Sequence, residues 1–386
     1  MTTVEVSRPL ALAMVLTLGI GQVVAFASSF YLLGVLGDAV AGGIGVAPTV
    51  LFTLFSGAFL VSAMAGPWVG KWIQARGGRE VMLASNLVFA AALGLIGVAA
   101  NAPALAAGVL TLGLDMAVGL YGTPNAILVE IHGERARSWI TAVALMGGLG
   151  SSVGFLVTGW LLREVGWRGA CLAWAGVHLA VCLPLGAFVV PRTHGHAAPA
   201  RATAPIRVAW DRRMLQLAVL FAGAWFVSTC MSTHLPRLLQ RLGLSADEAS
   251  SAAAFLGVAA VSARAIELSL LRRLPTLATT RIATLLSPLG ALTVLALGPH
   301  AGVALVIGQG LGNGMLSVAN GTLPLALFGR DGYAYRAALI NTPARFVQAA
   351  GPGLFAMALA TSPQAALALI AGVCLMMFAM TFGLTR

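Results

Sequence analysis

This sequence predicts an all-α membrane protein whose twelve transmembrane helices form two pseudo-symmetric six-helix bundles. Three observations carry that prediction. Hydrophobic residues make up 59% of the 386 and charged residues only 9%, with a mean hydropathy of +0.92. About a dozen apolar runs follow one another at the length, roughly 20 residues, that a hydrocarbon core about 30 Å thick demands of a helix. The longest polar gap, residues 191–213 (PRTHGHAAPARATAPIRVAWDRR), divides those runs six and six. Strands are excluded as the spanning element, because they alternate apolar and polar residues and give no continuous runs of this length.

In order, the expected spans are 9–35, 47–69, 80–100, 103–129, 138–163 and 170–190, then 214–235, 249–272, 281–298, 302–328, 338–361 and 364–384. The first is too long for a signal-peptide core and no small-residue cleavage pattern interrupts it. It carries Gln22, Ser28, Ser29, Phe30 and Tyr31 in an otherwise apolar helix. Tyr31 suits a cavity wall, although a place in the outer aromatic belt near the end of its span is the slightly favoured reading. The fourth span is long enough to tilt or bend, with Gly122 breaking the helix beside Tyr121, Pro124 and Asn125. Tyr121 and Asn125 either face a cavity or hydrogen-bond between helices. The fifth carries Gly147, Gly148, Gly150, Gly154 and Gly159, spaced for close helix contact. In the seventh, Trp225, Thr229 and His234 are lining candidates, with His234 expected at the outer edge. The expected units are 1–190, a cytoplasmic linker 191–213, and 214–386.

A net charge of +11 raises the question of nucleic acid, and the distribution of charge answers it. On this topology 17 of the 23 basic residues lie on one side of the membrane and four on the other. That asymmetry is the positive-inside bias, which puts both termini in the cytoplasm, of a bacterial inner membrane by this reading, and makes a nucleic-acid partner unnecessary. The four cysteines all fall inside spans and are read as small apolar filler, not disulfides. His194 and His196 are too isolated to form a metal site. There is no Walker-type phosphate loop and no paired His/Glu metal motif. No enzyme activity and no cofactor are expected, and transport must run on gradients. Weak repetition between the halves, with GGIGVAPTVLF at 42–52 and RLGLSADEASSAAAF at 241–255 each leading into a second helix, suits a carrier built from two related bundles.

Between the second and third spans lies Gly70-Lys71-Trp72-Ile73-Gln74-Ala75-Arg76-Gly77-Gly78-Arg79. This stretch resembles the signature loop of the major facilitator superfamily, with Gly70, Gly77 and Arg79 matching and Gln74 standing where that family usually has an acid. The resemblance extends over the whole chain in span count, linker position and terminal topology. It implies a gating role for Gly70, Arg76, Gly77 and Arg79; the glycines permit a tight turn and the basic residues hold it in the cytoplasm.

Charges inside spans cost about 2.5–3.5 kcal/mol or more at mid-bilayer, so they face the bundle interior and usually have a function. Four stand out: Asp115, Arg264, Glu267 and Arg345. Counted from the expected helix ends, the two arginines sit at matched depth, roughly 10–12 Å above the inner boundary. There they suit a pair of forks that grip a carboxylate. Within the superfamily, Phe255 to Arg264 resembles the eighth helix of the oxalate/formate antiporters and monocarboxylate porters. Asn341-Thr342-Pro343-Ala344-Arg345, followed by Gly351-Pro352-Gly353, resembles their eleventh. In this sequence Glu267 follows the arginine, whereas the porters' acid precedes it. Gln309 and Asn320, in the tenth span, are further lining candidates.

The competing reading is internal neutralisation: Arg264 and Glu267 lie three apart on one face and can pair, or Arg345 can reach Glu267. Asp115 is either a proton-coupling site, like Glu267, or a neutral carboxyl donating one hydrogen bond across helices; the second is preferred. The expected function is a secondary carrier for a small organic anion, working by alternating access, with proton coupling or exchange, and binding its cargo between spans 1, 4, 7, 8, 10 and 11. The alternative is a proton-driven exporter of drugs or amphiphilic metabolites. The expected partners are a small anionic molecule, the lipid bilayer and protons; a monomer suffices.

Overall fold

The computed structural model describes residues 8–120, 122–132, 136–192, 210–269, 274–298, 301–328 and 333–384. It is helical throughout, with no strand among the described residues. The chain divides into two compact units, Met1–Ala200 and Arg201–Arg386. Most of the expected linker, 193–209, lies outside the described residues.

The first unit opens with α1 (Arg8–Ser28) and α2 (Leu32–Ile44), separated by a three-residue break. Ser29 turns its hydroxyl back to the Ala25 carbonyl at 2.6 Å, a local bond that competes with the helical ladder. α2 continues nine residues past the expected end of the first span, to a left-handed Gly45 that returns its N–H to Ala41 at 2.9 Å. α3 (Pro48–Arg76) begins with proline in its first turn, where the missing N–H costs nothing. Only Gly77 separates it from α4 (Gly78–Gly97); its φ of 84° and ψ of 155° suit glycine alone. The expected ten-residue loop is therefore a one-residue turn, and Gly70 is an ordinary helical residue. Glu130 accepts from Gly78 N–H at 3.4 Å, a negative group at the start of α4.

α5 (Ala102–Gly119) is capped by Asn101, which accepts from Ala104 N–H. It ends where Leu120 turns extended, and α6 (Gly122–His132) resumes the crossing. α7 (Ala136–Gly147) and α8 (Gly150–Val177) follow. Gly166 in α8 has φ 69° and ψ 176°, so the apolar stretch Trp139–Val189, 51 residues long, is broken into two crossings. A wide π-helical turn at His178–Cys182 leads into α9 (Leu183–Val189), absorbing Pro184, which has no N–H to give.

The second unit is six long helices: α10 (Arg212–Arg241), α11 (Ala246–Ser269), α12 (Thr276–Leu297), α13 (Gly302–Phe328), α14 (Tyr333–Thr361) and α15 (Pro363–Met380). α11 starts on a reciprocal cap, Ser245 N–H to Glu248 at 2.8 Å and Glu248 N–H to Ser245 Oγ at 3.3 Å, the Ser-x-x-Glu box. Ten segments are long and apolar enough to cross a membrane. The break at Gly166 and the 29-residue α14 bring the crossings to six per unit.

Both units pair their crossings alike. The second and third pack on the fourth (α3 and α4 on α5; α11 and α12 on α13). The first packs on the fifth (α1 on α7 and α8; α10 on α14), and the third reaches the sixth (α4 on α9; α12 on α15). Small residues set these contacts. In α13, Gly308 and Gly312 leave room for the α12 backbone at Leu286 and Ala283, while Gly310 and Gly314 do so for the α11 backbone at Leu256 and Ala260. In α8, Gly150 and Gly154 admit Phe26 and Ala27 of α1, as the glycine spacing predicts. The four cysteines are buried and free.

Candidate functional site

In the second unit, a row of polar side chains links four helices. Arg264 of α11 donates from Nε to Ser317 Oγ of α13 at 3.0 Å. Three residues along α13, on the same face, Asn320 exchanges two amide hydrogen bonds with Asn341 of α14, at 2.9 and 3.2 Å. Four residues along α14, Arg345 holds its guanidinium over the Trp225 ring of α10 at 5.1 Å. The row thus runs Arg264, Ser317, Asn320, Asn341, Arg345, Trp225, with a cation at each end of the amide pair. Sequence reading found four of the six. Ser317 and Asn341 were passed over: like Asn320 they are single uncharged polar residues in apolar runs, and only their contacts across helices mark them.

Neither arginine is neutralised by a carboxylate among the described residues. Glu267 does not pair with Arg264: it is 8% exposed and accepts from Thr279 Oγ1 of α12 at 3.3 Å. One terminal nitrogen of Arg264 is buried without a partner, as is the second oxygen of Glu267. Internal neutralisation, one of the two sequence readings, is therefore not what the side chains do. The matched-depth count also changes. α14 starts at Tyr333 instead of 338, which puts Arg345 twelve residues, about 18 Å, into its helix. Gln309 is 3% exposed, and its oxygen accepts from Ser287 of α12 at 2.6 Å, a commitment to helix packing. His234 is fully buried, not at an outer edge. It donates to the Pro352 carbonyl at 2.9 Å and stacks on Phe355, joining α10 to α14.

In the first unit, the break after α5 frees backbone carbonyls, and side chains take them up. Gln22 Nε2 donates to Gly119 O at 2.8 Å, and the Thr123 hydroxyl donates to Val118 O. Asp115, one turn earlier, is 0% exposed; neither of its oxygens has a hydrogen-bond partner, so the expected interhelical bond is not made. Asn125 is half-buried, with an unpartnered oxygen; Tyr121 lies outside the described residues. Tyr31 sits in the break between α1 and α2, edge-on to Phe30 and Phe155 at 5.6 and 5.3 Å. Since α2 runs thirteen residues beyond it, it is not at the end of its span.

A buried histidine that sequence reading passed over, His178, bonds Ser28 at 2.9 Å and Asn86 at 3.0 Å and stacks on Phe89. A lone histidine in an apolar span was the only signal for it. Arg79 donates to the carbonyls of Val190 and Ala187 at 2.7 and 2.6 Å, tying the start of α4 to the end of α9. Arg281 does the same at Thr381 in the second unit. Arg76 is exposed. Gly150-Ser151-Ser152-Val153-Gly154 spells a nucleophile-elbow pattern. It lies in the first turns of α8, without the strand-to-helix turn that exposes such a serine.

Two units of six crossings each, with polar groups buried among their helices, make an integral multi-pass membrane protein. The Major Facilitator Superfamily profile matches residues 18–330. The chain belongs to that superfamily, and with it to the secondary transporters that work by alternating access. Among solved structures it is similar to a bacterial homolog of the human lysosomal transporter Spinster. In the inward-facing, occupied conformation that protein gives a TM-score of 0.71 at 16% identity over 97% of this chain and 95% of that one. Its unoccupied conformation gives 0.72 at 15% over the same shares. A point mutant of the nucleoside transporter NupG gives 0.78 at 12%, over 97% of this chain and 100% of that one. These likenesses establish the fold. A search among curated proteins returns no match.

Proposed function

We propose that the protein is a secondary carrier for a small carboxylate-type anion and that Arg264 and Arg345 anchor the charge. The observation that carries this reading is two guanidiniums on membrane-spanning helices with no carboxylate partner among the described residues. A permanent charge at that depth needs a counter-ion, and arginine cannot discard its proton. A carboxylate cargo supplies that counter-ion when bound. Between the two cations the Asn320–Asn341 pair offers further amide donors, and Trp225 gives a flat apolar wall beside Arg345. Glu267, three residues from Arg264 and bonded on one oxygen only, is the group on this unit suited to carry a coupling proton.

Uptake of labelled carboxylates into proteoliposomes tests the assignment. Arg264→Ala and Arg345→Ala should abolish uptake while the protein remains inserted and monodisperse, and Arg→Lys should restore part of it at best. Undiminished uptake in both alanine variants sinks the anion reading. The exporter of cationic amphiphiles is supported by the unpartnered carboxyl of Asp115. In that case Asp115→Asn should stop efflux and the arginine variants should not.

A further inference from the structure

At one end of the second unit, the termini of α10, α12 and α15 meet in a cluster of arginine and aromatic side chains that the anion reading does not use. Arg281, in the second turn of α12, donates from Nε to Thr381 Oγ1 at 3.1 Å and from Nη2 to the Thr381 carbonyl at 3.2 Å. Its guanidinium also lies over the Phe382 ring, 4.8 Å from the centroid. Gln216 of α10 takes the carbonyls on either side, Met380 at 3.3 Å and Phe382 at 2.9 Å. Three successive carbonyls at the end of α15 are thereby satisfied from within the protein. Arg212, one turn before Gln216 on the same face of α10, extends past them. Its Nη2 comes within 3.9 Å of where a Cβ on Gly383 would stand, and it makes no hydrogen bond among the described residues.

Two guanidiniums from different helices therefore close on residues 381–383 with donors to spare. Arginine carries five N–H groups in a rigid fork. Arg281 commits two of its nitrogens and Arg212 none. Asp211, beside Arg212 in the chain, uses an oxygen to cap α10 at the Met214 N–H, 2.8 Å away. The surrounding apolar groups face outward: Phe382 is 52% exposed and Trp210 49%. Leu375 of α15 and Leu215 of α10 are exposed as well. At the end of membrane crossings such a patch is a boundary layer, with aromatic rings at the headgroups and aliphatic side chains against acyl chains. Cations with spare donors beside open apolar surface have the layout that an amphiphile with an anionic head requires.

We propose that this corner binds an anionic phospholipid. The headgroup phosphate takes the remaining N–H groups of Arg281 together with Arg212, and an acyl chain lies along Phe382 and Leu375. Soluble phosphates share the anionic chemistry, but they would leave the exposed rings and leucines uncovered. A zwitterionic lipid offers the same phosphate with an ammonium of its own, which two arginines repel. The site uses none of the residues assigned to the cargo, so it stands or falls independently of the anion reading.

Native mass spectrometry of the full-length protein in detergent tests this, with phosphatidylglycerol and phosphatidylcholine of identical chains titrated in parallel. The first phosphatidylglycerol should bind about tenfold more tightly than phosphatidylcholine. Arg212→Gln, which breaks no hydrogen bond among the described residues, should weaken phosphatidylglycerol about fivefold. Adding Arg281→Lys, which keeps a donor for the end of α15 but removes the fork, should bring the two lipids close to parity. Arg241→Gln, at the opposite and exposed end of α10, should change neither. In thermal unfolding, phosphatidylglycerol should raise the midpoint in a saturable way, while inorganic phosphate and glycerol phosphate should not. Equal affinity for the two lipids overturns the proposal, as does phosphatidylglycerol binding undiminished in the double variant. A loss as large in Arg241→Gln as in Arg212→Gln overturns the site, and a midpoint raised equally by inorganic phosphate overturns the lipid as its occupant.

Discussion

Arg345 and Trp225 are the pair whose chemistry is most open to measurement. A guanidinium over an indole face contributes about 0.5–2 kcal/mol, and the stacking also fixes where the fork points. Trp225→Ala is therefore expected to raise KM for transported anion by about twofold to thirtyfold, with maximal rate largely retained, in the proteoliposome assay. Trp225→Phe, which keeps a ring face, should recover most of the loss. The amide pair is a second residue-scale device. Asn320 and Asn341 satisfy each other, so removing one leaves a half-buried amide without its partner. Such interhelical bonds average about 0.6 kcal/mol and reach about 1.7. In a double-mutant cycle followed by thermal unfolding, Asn320→Ala with Asn341→Ala should be less destabilised than the sum of the two single changes.

At the scale of elements, the turn between α3 and α4 separates two glycines that the family motif treats together. Gly77 holds a backbone conformation outside the reach of other residues, whereas Gly70 is helical with no heavy atom within 4 Å of where a Cβ would stand. Gly77→Ala should destabilise by about 1–3 kcal/mol, and Gly70→Ala should be neutral or stabilising by up to about 1 kcal/mol, as read from unfolding midpoints. Arg79 acts on this turn from outside it, because its two bonds to the end of α9 hold the third and sixth crossings of the unit together. α2 shows why element ends escape sequence reading. Gly34, Gly37, Asp38, Gly42 and Gly43 look like a loop, yet Leu32, Leu33, Leu36 and Val40 are buried. Gly37 lies against Phe52 and Gly43 against Trp167. Packing outweighs the weak helix propensity of glycine there.

For the whole molecule, an even number of crossings predicts that both termini lie on one side, and the concentration of arginine in alternate loops predicts that this side is the cytoplasm. Reporter fusions at the linker and at the C-terminus should both read as cytoplasmic, and a fusion after Gly45 should read as external; the opposite pattern inverts the topology. Both units pair their crossings alike, and Arg79 and Arg281 cap the ends of the sixth and twelfth crossings alike, as expected of halves built on one plan.

The segmentation of this chain into helices was decided by the sequence alone. Partition into a bilayer is a local free energy, summed over about 20 consecutive residues, and needs no knowledge of neighbours. The same reasoning picked out Arg264, Glu267, Arg345 and Asp115, because a charge in an apolar run is conspicuous wherever the run packs. What those charges face was decided only in three dimensions. Arg264 and Glu267 lie three residues apart, about 60° around a helix of 3.6 residues per turn. That angle suffices to send one to Ser317 on α13 and the other to Thr279 on α12. Which helix stands in each direction depends on the glycine faces of α13 and on contacts between residues distant in the chain, and no local pattern encodes it.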